Sequence, residues 1–231
     1  MPLRRAKPTP ADMCEEKLTI LLGRTASFHE AVHAHASNLL PIEDNRYVVA
    51  FQAGLLSLEH ATGAFALISL NFMPSAFSLI RPQYESLVRG IWLLYAASNS
   101  WVEKLGERLT LETAKRANEG PMLAEMLKDL EAETSAPQAI VNQIKAYRDV
   151  TWKALNSYAH GGLHPLARTT LGYPAQLTYD AVRNSNAVVA LTAQLLSILT
   201  GNSLNMKPVQ KLHVEFSDCL PIVNWPSKNA L

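Results

Sequence analysis

The sequence predicts an all-α protein built as a single helical bundle of about six or seven helices. Apolar residues recur at intervals of three and four along most of the 231 residues. Hydrophobic residues make up 48% of the chain and charged residues only 18%, which is enough apolar surface for a sizeable core. Prolines and glycines fall near the ends of several apolar segments, where helices stop or start. These three observations together favour one helical domain.

The chain divides into an arm, a bundle and a tail. Residues 1–10 hold three prolines and three basic side chains, a composition typical of a mobile arm. Residues 11–205 hold the predicted helices of the bundle domain. Residues 206–231 predict an irregular tail, in which the alternation of residues 212–216 is typical of a lone strand or an extended arm.

Three long helices are predicted in the first half of the chain. The first spans residues 12–41, with Asp12 as its N-cap and Pro41 as its end. The second, Glu43–Asn71, is apolar on nearly every face and rich in small residues, so we expect it at the centre of the bundle. The third, Pro74–Ser98, contains Pro82, which predicts a kink or a break just before it.

The second half of the chain predicts shorter elements and two further long helices. Residues 99–120 are more polar and predict one or two short helices that cap the bundle. Residues 121–133 predict a short amphipathic helix. A longer helix opens at Ser135 with Pro137 and ends at the pair Gly161 and Gly162. Residues 163–173 are predicted to be a loop, and residues 178–200 form the last predicted helix.

Charge and cysteine content narrow the classes of function. The chain has 21 Lys and Arg against 20 Asp and Glu, so no global field favours nucleic acid or an anionic membrane, and any nucleic-acid contact must be local. Cys14 and Cys219 lie too far apart in sequence to predict a disulfide framework or a metal cluster, which fits a reducing cytoplasm. Residues 48–70 come nearest to a membrane span, but charged and polar side chains interrupt them. We therefore expect a cytoplasmic protein with no membrane partner.

The third predicted helix carries an unusual polar stripe. Arg81, Glu85 and Arg89 are spaced i, i+4, i+8 and fall on one face of an otherwise apolar helix. Charges on a mostly buried helix are costly unless they pair. The spacing therefore predicts that Glu85 is buried between the two arginines, and that a second polar segment reaches them.

The second polar segment is WKALNSYAH, residues 152–160, which directly precedes the glycine pair. Asn156 and His160 lie one helical turn apart, and His160 falls in the last turn, where the helix dipole favours a cationic imidazole. If this segment faces the stripe on the third helix, the side chains suit metal-free RNA cleavage. His160 would then act as general acid or base, Asn156 as an orienting group, and Arg81 and Arg89 as phosphate clamps held by Glu85. The same groups also suit a structural polar network that only fixes helix register.

A histidine motif on the first helix offers a third interpretation. His29, Glu30 and His33 match the H-E-x-x-H pattern, in which two imidazoles bind zinc and the glutamate polarises a water molecule. No later motif supplies a third ligand, and no edge strand is predicted to hold a peptide substrate. We therefore expect neither a metal nor another cofactor, and zinc hydrolysis remains the weakest of the three interpretations.

The strings RPQYESLVRG (residues 81–90) and LNSYAHGG (residues 155–162) carry a family resemblance. A helical chain with a buried acidic and basic helix, followed by a helix ending in Asn-x-x-x-His, resembles the HEPN superfamily of nucleotide-binding helical domains. Both strings are also similar to those of other bacterial all-helical proteins. The resemblance covers residues 43–200 and implies a bundle of four or five helices. It also implies homodimers and, in many members, metal-independent RNA cleavage in toxin–antitoxin or phage-defence systems.

One position departs from the family motif. The HEPN motif has an arginine directly before the asparagine, whereas this chain has Leu155, and the nearest basic residue on that helix is Lys153. Without this guanidinium a phosphate loses a bidentate partner. Two alternatives follow: either Arg81 or Arg89 substitutes from the other helix, or the chain is a non-cleaving relative that serves as a dimerisation or regulatory module.

Overall fold

A computed structural model describes residues 10–115 and 120–221, with side chains from residue 14 onward. Within these ranges the chain forms ten α-helices and two short 3₁₀ turns, and it forms no strand. The helices are α1 (Pro10–Ala36), α2 (Asn45–Ser69), α3 (Met73–Tyr95), α4 (Asn99–Leu105), α5 (Leu111–Ala114), α6 (Leu123–Ala132), α7 (Gln138–Ala159), α8 (Leu163–Leu171), α9 (Ala175–Leu199) and α10 (Met206–Glu215). None of these helices is long and apolar enough to cross a membrane. The all-α fold class is confirmed, but six or seven helices were too few.

Most predicted helices lie within a few residues of their expected bounds. Helix α2 begins after Asp44, whose side chain accepts a hydrogen bond from the Arg46 amide as an N-cap. Helix α1 begins at Pro10, so Asp12 is inside the helix and is not its N-cap. The remainder of the predicted arm, residues 1–9, lies outside the described residues, as does the tail from residue 222.

Two segments predicted as irregular are helical. Helix α8 occupies the expected loop at residues 163–173, because Pro165 lies in its first turn, where a missing amide hydrogen costs nothing. Helix α10 occupies the expected strand at residues 212–216. Its buried side chains are Val209 and Leu212, and the buried Phe216 directly after the helix continues their helical spacing, whereas Val214 is exposed. The alternation of Leu212, Val214 and Phe216 was therefore misleading.

Helix α3 lies at the centre of the bundle, in place of the second helix that the sequence favoured. It packs against α2, α6, α7 and α9 and buries residues on most of its faces. Helix α2 packs against α3, α4 and α9 but leaves Leu55 and Leu56 exposed on its outer face. Helix α3 runs without interruption through Pro82, so the expected break is not present. Packing from four neighbours offsets the hydrogen bond that proline removes.

Close packing at the centre depends on two glycines. A Cβ atom at Gly54 would lie 2.7 Å from Leu196 Cδ2, and one at Gly90 would lie 3.1 Å from the Ala50 carbonyl oxygen. These distances are shorter than ordinary van der Waals contact. The small residues of the second helix were predicted to allow close approach, and the structure confirms this.

Candidate functional site

The polar stripe of α3 is only partly buried. Arg81 Nε donates a hydrogen bond to Glu85 Oε1 at 2.9 Å, and the two side chains are 20% and 29% exposed. Glu85 is therefore not a buried carboxylate enclosed by two arginines, as the sequence predicted. It pairs directly with Arg81, whereas it acts on Arg89 through electrostatic attraction.

The carboxyl end of α7 is fixed by the glycine pair. Gly161 adopts a φ of 64°, a left-handed conformation that glycine adopts without steric cost. The Gly162 amide donates to the Ser157 carbonyl at 2.7 Å, as in a Schellman C-terminal motif. His160 is the C-cap of this helix and is exposed. Trp152, Asn156 and His160 are spaced i, i+4, i+8 and therefore share one face of α7.

The two polar stripes meet at Arg81. Its Nη1 contacts His160 Nε2, and its guanidinium carbon lies 4.9 Å from the centre of the Trp152 ring. The convergence that the sequence predicted between α3 and α7 is thus present in the structure for Arg81, Glu85 and His160. We call Arg81, Glu85, Trp152, Asn156 and His160 the Arg81 cluster.

The contact between Arg81 and His160 fixes the direction of one hydrogen bond. A guanidinium has only donors, so His160 Nε2 accepts from Arg81 Nη1. The Nε2 lone pair is therefore directed at a cation. If a phosphate drew the guanidinium away, Nε2 would become free to take a proton.

Asn156 lies between Trp152 and His160 on the same face of α7. Its Oδ1 atom is buried and has no hydrogen-bond partner among the described residues. Because a buried amide oxygen without a partner costs about 1–3 kcal/mol, this acceptor is a candidate for a contact that is made when a ligand binds. Asn156 belongs to the cluster because of its position on α7, and not because of a hydrogen bond.

Arg89 lies apart from the other candidate residues. Eight residues separate it from Arg81, or about 12 Å along a helix. A Cβ atom at Gly120 would lie 3.2 Å from Arg89 Nη1, so this guanidinium is beside the segment that precedes α6. Burial lowers the pKa of Arg89, and the nearby Glu85 carboxylate opposes that effect. The structure therefore does not bring Arg89 into contact with His160.

Leu155, which replaces the arginine of the HEPN motif, faces the interior. Its side chain is only 6% exposed and lies near Phe77 and Ile80 of α3. An arginine at this position would place its first carbons in the core. In this chain, a cation for the cluster comes from α3, at Arg81.

The histidines of the H-E-x-x-H pattern point to different helices. His29 is 6% exposed and lies 3.1 Å from Asn186 Oδ1 on α9, whereas His33 lies 2.8 Å from Thr62 Oγ1 on α2. The Thr62 hydroxyl already donates to the Leu58 carbonyl, so His33 Nε2 must be the donor. Glu30 is exposed. Among the described residues, no group of three His, Cys, Asp or Glu side chains is placed to hold a metal ion.

Burial also sets the charge of His29. Desolvation lowers its pKa from 6.5 to about 4, although the hydrogen bond to Asn186 opposes this effect. His29 is therefore neutral at pH 7. It links α1 to α9 inside the core.

The most deeply buried polar network was not anticipated. The Gln83 side chain is fully buried, and its Nε2 donates to the Ser185 carbonyl at 2.9 Å. Ser185 Oγ donates to Gln83 Oε1 at 2.8 Å, and Ser57 Oγ donates to the Gln83 carbonyl at 2.9 Å. This network joins α2, α3 and α9. A glutamine in the middle of an apolar helix was the signal in the sequence that could have revealed it.

The family of the chain is identified by comparison with known families. Residues 54–222 match a family of unknown function, DUF6988. The chain belongs to this family. The matched range contains all five residues of the Arg81 cluster, and it begins inside α2. No curated protein and no solved structure matches the chain. DUF6988 has no activity in its description, so a function for this member must be argued from the cluster itself.

Proposed function

We propose that this DUF6988 member is an HEPN-like protein that acts on RNA, with the Arg81 cluster as a metal-independent endoribonuclease site. The observation that supports this proposal is the contact between Arg81 Nη1 and His160 Nε2. It joins a cation and an exposed imidazole from two different helices. Cleavage of RNA without a metal requires both groups next to one phosphate.

Each residue has a defined role in the proposed reaction. The phosphate draws the Arg81 guanidinium towards its oxygens, which frees His160 Nε2. His160 then takes the proton of the ribose 2′-hydroxyl, and the 2′-oxygen forms a bond to phosphorus. The bond from phosphorus to the 5′-oxygen breaks, and that oxygen takes a proton from water. The products are a 2′,3′-cyclic phosphate and a 5′-hydroxyl, and no electrons are transferred.

The remaining side chains position the reacting groups. Glu85 holds Arg81 through Nε, which leaves the terminal nitrogens of the guanidinium for the phosphate. Asn156 orients the ribose, whose hydroxyl donates a hydrogen bond to the unpaired amide oxygen. Trp152 supports the face of the guanidinium. Arg89 is assigned to a neighbouring phosphate, because it lies too far along α3 to share the first one.

The HEPN resemblance extends the proposal to the setting in which the protein acts. It implies a homodimer in the bacterial cytoplasm, and a role in a toxin–antitoxin or phage-defence system. The local nature of the cluster fits a chain whose overall charge is nearly balanced, because the cluster offers a single cation, Arg81, at one junction between helices.

Purified full-length protein, incubated with structured RNA and EDTA, tests the proposal. We expect cleavage in EDTA, with products that end in a cyclic phosphate. His160→Ala should lower the rate at least about a hundredfold, the usual effect of removing a general base. His164→Ala is the matched control, because His164 is also exposed but lies on α8 outside the cluster.

Circular dichroism of each variant shows whether the bundle remains folded. Full activity in folded His160→Ala would remove this residue from the mechanism. Activity that EDTA abolishes would contradict a metal-independent reaction.

A second candidate function is a non-catalytic dimerisation or regulatory module. The observation that favours it is that Arg81 is engaged on three sides, by Glu85, His160 and the ring of Trp152. Such a network can fix the register of α3 against α7 without any chemistry. This alternative predicts that Arg81→Ala lowers the melting temperature, and that the wild-type protein neither binds nor cleaves RNA.

A further inference from the structure

A cleft of about 170 Å³ opens between α3, α7 and α9, behind the Arg81 cluster. Apolar and aromatic side chains form most of its walls: Phe77, Ile80, Tyr147, Leu155, Tyr158 and Leu177. Ile80 and Leu155 directly precede Arg81 and Asn156, so the cleft and the cluster lie on adjacent faces of the same two helices. No role in the proposed RNA chemistry falls to the cleft.

The cleft is large enough for a small organic molecule. An engineered protein cavity of about 150 Å³ binds benzene, so this volume suits one six-membered ring with a short substituent. Val150, at its edge, is largely exposed, which leaves a path from solvent. A ring in the cleft could pack against the aromatic side chains of the wall.

Two hydroxyl groups of the wall residues lack partners. The hydroxyls of Tyr147 and Tyr158 are buried and form no hydrogen bond of good geometry with described residues, although Thr151 lies near the first and Tyr173 and Arg168 lie near the second. Tyr158 as a whole is 7% exposed. Since buried hydroxyls are normally paired, two unpaired hydroxyls on one cleft indicate a missing hydrogen-bonding group rather than a purely apolar occupant.

The charged side chains at the cleft determine which ligand charge it favours. The twelve residues that line it include one carboxylate, Asp180, and no Lys, Arg or His, while Arg168 lies outside the lining, near the Tyr158 hydroxyl. Asp180 is exposed and accepts a hydrogen bond from Gln176 Nε2 at 2.9 Å. Asn184 is a second polar group of the lining. This arrangement disfavours an anionic ligand and favours a neutral or cationic one.

We infer that the cleft binds a single-ring aromatic compound that is neutral or singly cationic and carries a hydroxyl or amine group. The ring occupies the space between α3 and α7. Its hydroxyl pairs with a tyrosine hydroxyl after a small side-chain adjustment, and an amine lies towards Asp180. This binding does not depend on the proposed RNA function.

Tyramine and 4-hydroxyphenylacetate are matched probes for this inference. Both carry a phenol on a two-carbon chain, but one ends in an ammonium group and the other in a carboxylate. Titration of the full-length protein, followed by NMR or calorimetry, should show tyramine binding at least about tenfold more tightly. Asp180→Asn should reduce this preference at least about threefold.

Variants of the wall separate binding in the cleft from binding elsewhere. Ala154→Met fills the cleft and should weaken tyramine binding at least about tenfold. Ala146→Met, on an exposed position of the same helix, should leave it unchanged. Tyr158→Phe removes one unpaired hydroxyl and should weaken binding about three- to tenfold.

Three results would overturn the inference. They are no binding of tyramine at millimolar concentration, equal affinity for the two probes, and an affinity that Ala154→Met does not change. The last result would show that tyramine binds outside the cleft.

Discussion

The buried imidazole of His29 should make the stability of the fold depend on pH between about 7 and 4. In the unfolded chain this group binds a proton below its ordinary pKa of 6.5, whereas in the folded protein burial lowers the pKa to about 4. Between these values the unfolded state binds more protons. The contribution of His29 is therefore fully present above pH 6.5 and is lost as the pH falls towards 4.

The size of this loss follows from the two pKa values. At about 1.4 kcal/mol per pH unit, the gap between 6.5 and about 4 corresponds to a decrease of about 3 kcal/mol in the free energy of unfolding. Below pH 4 the folded protein also takes the proton, so the contribution of His29 becomes constant. Carboxylates titrate in the same range, so the effect must be taken as a difference between wild type and a variant.

Urea unfolding at half-unit steps from pH 7.5 to 4 measures this difference. His29→Gln keeps a donor for Asn186 but cannot titrate, so its stability should fall about 3 kcal/mol less than that of the wild type. The same substitution at exposed His164 controls for the loss of a histidine. Parallel pH curves for wild type and His29→Gln would show that His29 is not a buried neutral imidazole.

Three further predictions concern the stability of the bundle. Glu85→Ala should lower the free energy of unfolding by about 1 kcal/mol or less, because its pair with Arg81 is partly exposed. A loss of about 3 kcal/mol in urea unfolding would instead support the buried pair that the sequence predicted. Gln83→Leu should cost about 1–3 kcal/mol, since it removes two buried hydrogen bonds and leaves the Ser185 hydroxyl without its acceptor in the core. A melting temperature equal to wild type would refute this. Gly23→Ala should raise the free energy of unfolding by about 0.5–1 kcal/mol, because a Cβ atom there meets nothing within 4 Å. Gly90→Ala should lower it by about 1–3 kcal/mol through steric overlap. A stabilising Gly90→Ala would contradict the close packing of α2 and α3.

The helical architecture was largely predictable because its signals are local. The glycine pair marked the end of α7 correctly, whereas the predicted N-cap, Asp12, lies inside α1 and the Asp44 N-cap of α2 was not predicted. The errors arose where the same residues fit both the two-residue period of a strand and the 3.6-residue period of a helix. In α10, Leu212 and Phe216 fit both a strand and a helix, and only packing against α9 and α1 decides between them.

The residues of the candidate site were largely predictable from the sequence, but their burial was not. Spacing alone placed Arg81 with Glu85 and Asn156 with His160, and the structure brings the two pairs to one junction. Spacing could not show how much solvent reaches them, because burial depends on neighbouring helices. Spacing also grouped Arg89 with Arg81, although in the structure the Arg89 guanidinium lies beside Gly120.

The buried network was missed for a related reason. Gln83 and Ser185 are 102 residues apart in sequence, and neither residue belongs to a motif. Only the three-dimensional approach of α3 and α9 makes them partners, and their hydrogen bonds then specify how these helices are aligned.

The most direct test of the proposed site is the ¹⁵N NMR spectrum of the histidine side chains during titration with a 2′-O-methyl RNA oligonucleotide, which binds but cannot be cleaved. In free protein, His160 Nε2 should accept a hydrogen bond from Arg81. RNA should shift the His160 Nε2 signal and the Arg81 Nε signal together, because phosphate takes the guanidinium from the imidazole. Binding that leaves both signals unchanged would contradict an RNA site at the Arg81 cluster.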